Sequence, residues 1–219
     1  MIAKIAVLPS LRSRSIGRLS VGTTVCKCAL GRAGIVSEKR EGDGATPAGK
    51  YRLRFVAIRR DRVSPFRSAL PCRRTRPSDA WCDDPRSSRY NLPVRMPIAA
   101  SHERMWREDR LYDIVVILDH NTRPRKKGRG SAIFLHLTNG EYSPTAGCLA
   151  VSLADIRRVL SRLGRRTIME IMLPGGRLTR AKYRGPDAYV GRSKLNRKFI
   201  VRAHPHREFL NTISTGYLS

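Results

Sequence analysis

The residues best placed to do covalent chemistry lie in one stretch, FLHLTNGEYSPTAGCLAVSLADI, residues 134–156. An apolar segment carries His136, a polar turn follows, and Gly147-Cys148 opens a second apolar segment, with thiol and imidazole twelve positions apart. A free cysteine, with a pKa of about 8.5, is mostly un-ionised at neutral pH, so a nucleophilic thiol needs a base beside it. Imidazole supplies that base, and as imidazolium it stabilises the thiolate. Without a Cβ, Gly147 would let a substrate carbonyl approach the backbone, where N–H groups near Cys148 receive the developing oxyanion. The plain reading of the pair stands beside the chemical one: a cysteine in an apolar strand is commonly a small buried hydrophobe, and a histidine a satisfied polar residue.

The surrounding pattern must hold the two strands side by side. Short stretches rich in Val, Ile, Leu and Tyr, bounded by Gly, Pro, Asn and Asp, predict strands over residues 17–30, 50–59, 111–118, 131–137, 148–151 and 167–173. One helix is signed: Ser152 is the N-cap with Asp155 three residues on, and Leu153, Ile156, Leu160 and Leu163 recur at helical spacing before Gly164. The expected fold is mainly β, a sandwich or barrel-like catalytic domain with one principal helix after the nucleophile strand. Residues 1–173 form that domain. Residues 174–219 are read as a basic extension, either disordered or with a short strand over 199–201; from Ile171 onward there are ten Lys and Arg against two acidic residues.

The whole chain carries 44 Lys and Arg against 17 Asp and Glu, a formal charge of +27. Such a balance attracts polyanions whether or not they are substrates. A nucleic-acid-binding protein is therefore the rival class, with the loop RPRKKGRG (123–130) and the basic tail in its favour. Against it stand an aromatic content of 6% and the lack of helix-turn-helix or zinc-finger spacing. A non-catalytic envelope-binding module is a third reading. The five cysteines, at 26, 28, 72, 82 and 148, are odd in number, so at least one thiol is free or pairs between molecules. Cys26-Lys27-Cys28 is too tight for the usual metal-ligand spacing and places both side chains on one strand face, which suits core packing. No metal and no organic cofactor is expected. The start, MIAKIAVLPSLRSRSIG, holds no apolar segment of signal-peptide length, and no run of apolar residues is long enough to span a bilayer.

Taken together, His136, Thr145-Ala146-Gly147-Cys148 and the earlier turn Thr46-Pro47-Ala48-Gly49 followed by Tyr51 resemble the YkuD-type L,D-transpeptidases. That family has a histidine on one strand, a [Ser/Thr]-x-Gly-Cys strand after it, and a Thr-Pro-x-Gly turn near its N-terminal strands. The resemblance covers roughly residues 17–173. It implies Cys148 as nucleophile, His136 as base and later acid, the amides of Gly147 and Cys148 in the oxyanion hole, and peptidoglycan stem peptides as substrate. A cell-envelope or periplasmic location is implied with them. Thr145, Ser143 and Tyr142 are the nearby groups expected to contact substrate, although turn chemistry explains Tyr142 and Ser143 equally well. His120, at the end of a predicted strand, either lines the cleft or simply closes the strand. The chain has Ala146 where many members carry His or Lys, Ala150 where many carry Arg, and Leu137 where a glycine is common. Acceptor choice and the group that orients the imidazole do not carry over from the resemblance.

Overall fold

A computed structural model of the protein describes residues 2–176. Its strands are β1 (Ile2–Pro9), β2 (Ile16–Val21), β3 (Thr24–Ala29), β4 (Ile35–Val36), β5 (Thr46–Pro47), β6 (Gly49–Ile58) and β7 (Cys72–Arg74). They continue with β8 (Asp79–Cys82), β9 (Leu92–Arg95), β10 (His102–Arg104), β11 (Ile114–Leu118), β12 (Phe134–Leu137) and β13 (Leu149–Val151). Helix α1 (Leu153–Arg162) and strand β14 (Leu163–Ile171) complete the domain. The basic extension beyond Gly176, including the strand expected over 199–201, lies outside the described residues.

The main sheet runs β11-β12-β13-β3-β2-β1-β14-β6-β7, and β11 also pairs with β6. That second pairing closes eight strands into a barrel and leaves β7 as an added edge. Strand β6 is long enough to serve both purposes: residues 49–52 pair with β14, whereas 56–58 pair with β7 on one side and β11 on the other. Its sequence explains its position. Lys50, Arg52 and Arg54 alternate outward with buried Tyr51 and Leu53, and then Val56, Ala57 and Ile58 are buried in succession. Alternation marks a strand with one wet face, and its loss marks cover on both faces.

The same double burial extends over β11, β12 and β13, all of whose residues are buried. Ile114, Val116, Leu118, Leu135 and Leu149 join the large core inside the barrel. The intervening residues Val115, Ile117 and Phe134 join a second core on the outside, together with Trp81, Met105, Tyr112 and Cys148. The cover over this face comes from residues 79–112, where β10-β8-β9 form a small sheet. Cys148 and His136 therefore lie between the barrel wall and this outer layer.

Three details differ from the sequence-based expectation. Residues 17–30 form a hairpin rather than one strand, because Gly22 with φ +59° lets a two-residue turn separate Val21 from its partner Thr24. Strand β1, not foreseen in the apolar start of the chain, sits between β2 and β14, with Ile5 and Val7 fully buried. Helix α1 is capped as expected, the Ser152 hydroxyl accepting the Asp155 amide at 3.1 Å. Its buried face, however, is Ile156, Val159 and Leu160, while Leu153 is exposed, and the chain enters β14 at Leu163 with no intervening loop. Cys26 and Cys28 are both buried and unbonded, in keeping with core packing.

Candidate active site

Strands β12 and β13 are parallel neighbours, with Leu135 opposite Leu149 and His136 opposite Ala150. Cys148 thus stands beside Phe134, two positions before the partner of His136, and the parity puts both side chains on the outer face. Two residues of rise and one interstrand spacing separate their Cα atoms by about 8 Å. Both line one groove of about 410 Å3, bounded by the return loop on one side and by Asp83, Glu103 and Tyr112 on the other.

The resting hydrogen bonds are not those of a preformed ion pair. The Cys148 thiol donates to the Ala132 carbonyl at 3.1 Å and its sulfur accepts the Phe134 amide at 3.3 Å. Among the described residues, no hydrogen bond joins the sulfur to His136; the two-residue offset holds the rings and sulfur in adjacent rather than opposed positions. His136 Nδ1 lies 2.8 Å from the Leu137 carbonyl, which can only accept, so Nδ1 carries the proton and Nε2 the lone pair. A backbone carbonyl on its own strand is what orients the imidazole. The Tyr112 ring braces it edge-on at 5.0 Å.

Burial sets the protonation states. It pushes the Cys148 thiol up to about 12, with the Glu103 carboxylate adding to the shift and the Phe134 amide and Lys39 opposing it. Burial likewise lowers His136 to about 4, against the pull of its Leu137 hydrogen bond. Thiol and imidazole are both neutral at rest. The consequence is measurable: alkylation of Cys148 by iodoacetamide is expected to be slow at pH 7 and to rise about tenfold per pH unit without levelling between pH 7 and 10. A plateau at or below pH 8 in peptide-mapped rates would show instead that a neighbouring cation already ionises the sulfur.

Thr145 and Gly147 build the loop that presents the sulfur. The Thr145 hydroxyl donates to the Cys148 carbonyl at 2.6 Å and accepts the Gly147 amide at 3.1 Å. At rest the Gly147 N–H, expected to receive an oxyanion, is thus occupied by Thr145. The glycine has a packing reason as well: its φ is +141°, and a Cβ there would stand 2.7 Å from the Ala45 carbonyl oxygen. This contact joins the two sequence motifs. Asp43 accepts the Arg40 and Ala45 amides at 2.8 Å each, and the buried Thr46 hydroxyl accepts the Gly31 amide at 2.8 Å, so the GDGATP turn is a rigid seat beneath Gly147. The Thr145 backbone is tied to Leu30 and Arg32 next door.

The other expected groups separate. Ser143 lines the groove, its hydroxyl accepting from Asn139 at 3.1 Å. Tyr142 does not: held at φ +62°, it lies beneath the Lys27 ammonium at 4.5 Å, away from the thiol. Nor does His120 reach the groove. Its Nε2 meets the Arg129 carbonyl at 3.0 Å and its ring abuts Tyr51, so it fastens the basic loop. No spacing rule points to the groups that do face the sulfur, Tyr112 and Glu103. The Tyr112 hydroxyl donates to Glu103 at 2.6 Å, and the Arg107 guanidinium lies over the same ring at 5.0 Å. Asp83, from the WCDDP segment, enters the groove beside them.

The domain is a closed β barrel with one helix packed on its inner core, and it carries a cysteine and a histidine on neighbouring parallel strands. The sequence matches the family model of the YkuD L,D-transpeptidase catalytic domain over residues 14–171, and the chain belongs to that family. No curated protein and no solved structure matches it. Among the described residues no helix is long and apolar enough to cross a membrane, and no cluster of His, Cys, Asp and Glu is arranged to hold a metal ion.

Proposed function

We propose that the protein is an acyltransferase of L,D-transpeptidase type, acting on peptidoglycan stem peptides through a thioester on Cys148. The observation that carries this reading is the placement of Cys148 and His136 on one strand face at the floor of one groove. Substrate binding expels water and brings a carbonyl against the sulfur. His136 Nε2 then takes the thiol proton as the Cys148 sulfur attacks the carbonyl of the third stem residue. Collapse of the tetrahedral adduct breaks the peptide bond; the imidazolium returns its proton to the departing amine of the terminal D-alanine, leaving the thioester. An amine from a second stem peptide loses its proton to His136, attacks the thioester and expels the thiol, forming a cross-link. Water in the amine's place gives hydrolysis.

The neutral resting pair fits this sequence of steps. A thiol that ionises only as it attacks is protected from adventitious oxidation and alkylation, and proton transfer is coupled to bond formation. Tyr112 and Glu103 act on the geometry: ring contact fixes the imidazole plane while the carboxylate anchors the phenol.

The test is intact-mass measurement after incubation with a stem tetrapeptide, or with a carbapenem as its mimic. An acyl adduct mapping to the Cys148 peptide is expected. A protein that stays unmodified with both, and whose Cys148 also resists alkylation across the pH range, is not this enzyme; the polyanion-binding reading would then take its place.

A further inference from the structure

A second cavity, of about 790 Å3, opens between the barrel and the small outer sheet. That volume suits a small organic ligand. Phe55, Trp81 and Ile117 give it an apolar floor. Trp81 stacks edge-on against Phe134 at 5.2 Å, so this floor and the wall beside Cys148 belong to one packed layer.

Its rim is strongly cationic. Arg73, Arg74, Arg76, Arg89 and Arg95 line it, and among the lining residues the only carboxylate is Asp79, which already accepts the Arg76 amide at 2.8 Å. No ion pair to any of the five is formed among the described residues. Cations on β7 alone would be ordinary protection of an exposed edge. That account covers Arg73 and Arg74. It does not reach Arg89 or Arg95, which approach the same space from the loop before β9 and from the end of β9.

Thr75 adds an independent sign. It is only 3% exposed, it lines the cavity, and its hydroxyl has no hydrogen-bond partner. Buried hydroxyls are ordinarily paired, and this one would reach a ligand oxygen by a rotamer turn toward the cavity it borders. A further sign is the Arg73 guanidinium, which stacks over the Phe55 ring at 4.3 Å and so combines a planar surface with a charge at one wall.

We infer that this cavity binds an organic diphosphate, its planar body against the Arg73–Phe55 stack and its phosphates among the arginines and Thr75. Guanidinium forks match phosphate oxygens in pairs, and five cations call for more than one negative charge. The apolar floor distinguishes such a ligand from a bare ion. The recessed shape distinguishes it from a nucleic-acid duplex, whose phosphates would meet an open basic surface.

The experiment is calorimetric titration of the full chain with ADP, UDP and inorganic pyrophosphate, with competition by a random-sequence DNA duplex. ADP and UDP are expected to bind saturably at one site, each more tightly than pyrophosphate. Arg74→Ala and Arg95→Ala should each weaken ADP about tenfold. Thr75→Val should weaken it several-fold without lowering the melting temperature, and Cys148→Ala should leave it unaltered. The inference is overturned by absence of binding at millimolar nucleotide, by pyrophosphate binding as tightly as ADP, by an Arg95→Ala variant of full affinity, or by displacement of the nucleotide by DNA.

Discussion

Cys148→Ala is expected to abolish acyl transfer, by at least about 10^4-fold, and to leave a folded protein that still binds stem peptide. The loss is large because, among the described residues lining the groove, Cys148 is the only thiol, and on the proposed mechanism general-base and oxyanion contributions have nothing to act on without it. The structural cost is small. The sulfur makes one weak hydrogen bond as donor and one as acceptor, and deleting it leaves a void smaller than a methyl group, together worth about 1 kcal/mol. Release of D-alanine and the intact-mass shift read the first effect, and a thermal melt reads the second. Turnover within tenfold of the parent would put the nucleophile elsewhere.

The second large effect falls on a residue with no chemistry of its own. Gly147→Ala should lower stability by about 3 kcal/mol, or roughly 6 to 12 °C in melting temperature, and inactivate the protein even well below that temperature. Two penalties combine: the backbone angle of +141° is hostile to any side chain, and the new methyl would meet a main-chain oxygen of Ala45 that cannot turn aside. Gly140→Ala is the control. Its φ is +96°, yet a Cβ there meets nothing within 4 Å, so only the angular penalty of about 1 kcal/mol applies. Equal shifts for the two variants, read by differential scanning calorimetry, would show that the Ala45 contact contributes nothing.

The parts of this site legible in the sequence were those fixed by local pattern. Apolar runs and turn residues mark β6, β11, β12 and β13, and the Ser152 cap marks α1. Once β12 and β13 are neighbours, residue parity places His136 and Cys148 together. What local pattern does not carry is register. The offset that gives the thiol hydrogen to Ala132 rather than to the imidazole depends on pairing between strands. Tyr112 and Glu103 reach the groove from a segment whose own strands are short and weakly alternating, so their role emerges only from long-range packing. Strand β1 was obscured for a similar reason: its Ile5 and Val7 look like a short apolar patch until β2 and β14 flank them. Tyr142 shows the converse, nearness in sequence without nearness in space, because a left-handed turn residue swings its ring toward Lys27.

Parallel neighbours such as β12 and β13 impose a demand on the chain that a hairpin does not. Having left one strand at its far end, the polypeptide must travel back to begin the next at the near end. Here it makes that journey without a helix, in residues 138–147, and the homeward stretch is itself one bank of the channel above the sulfur. The width of that channel is therefore governed by how many residues the journey takes. Lengthening or trimming it would reshape that channel while the staves of the barrel stayed in place.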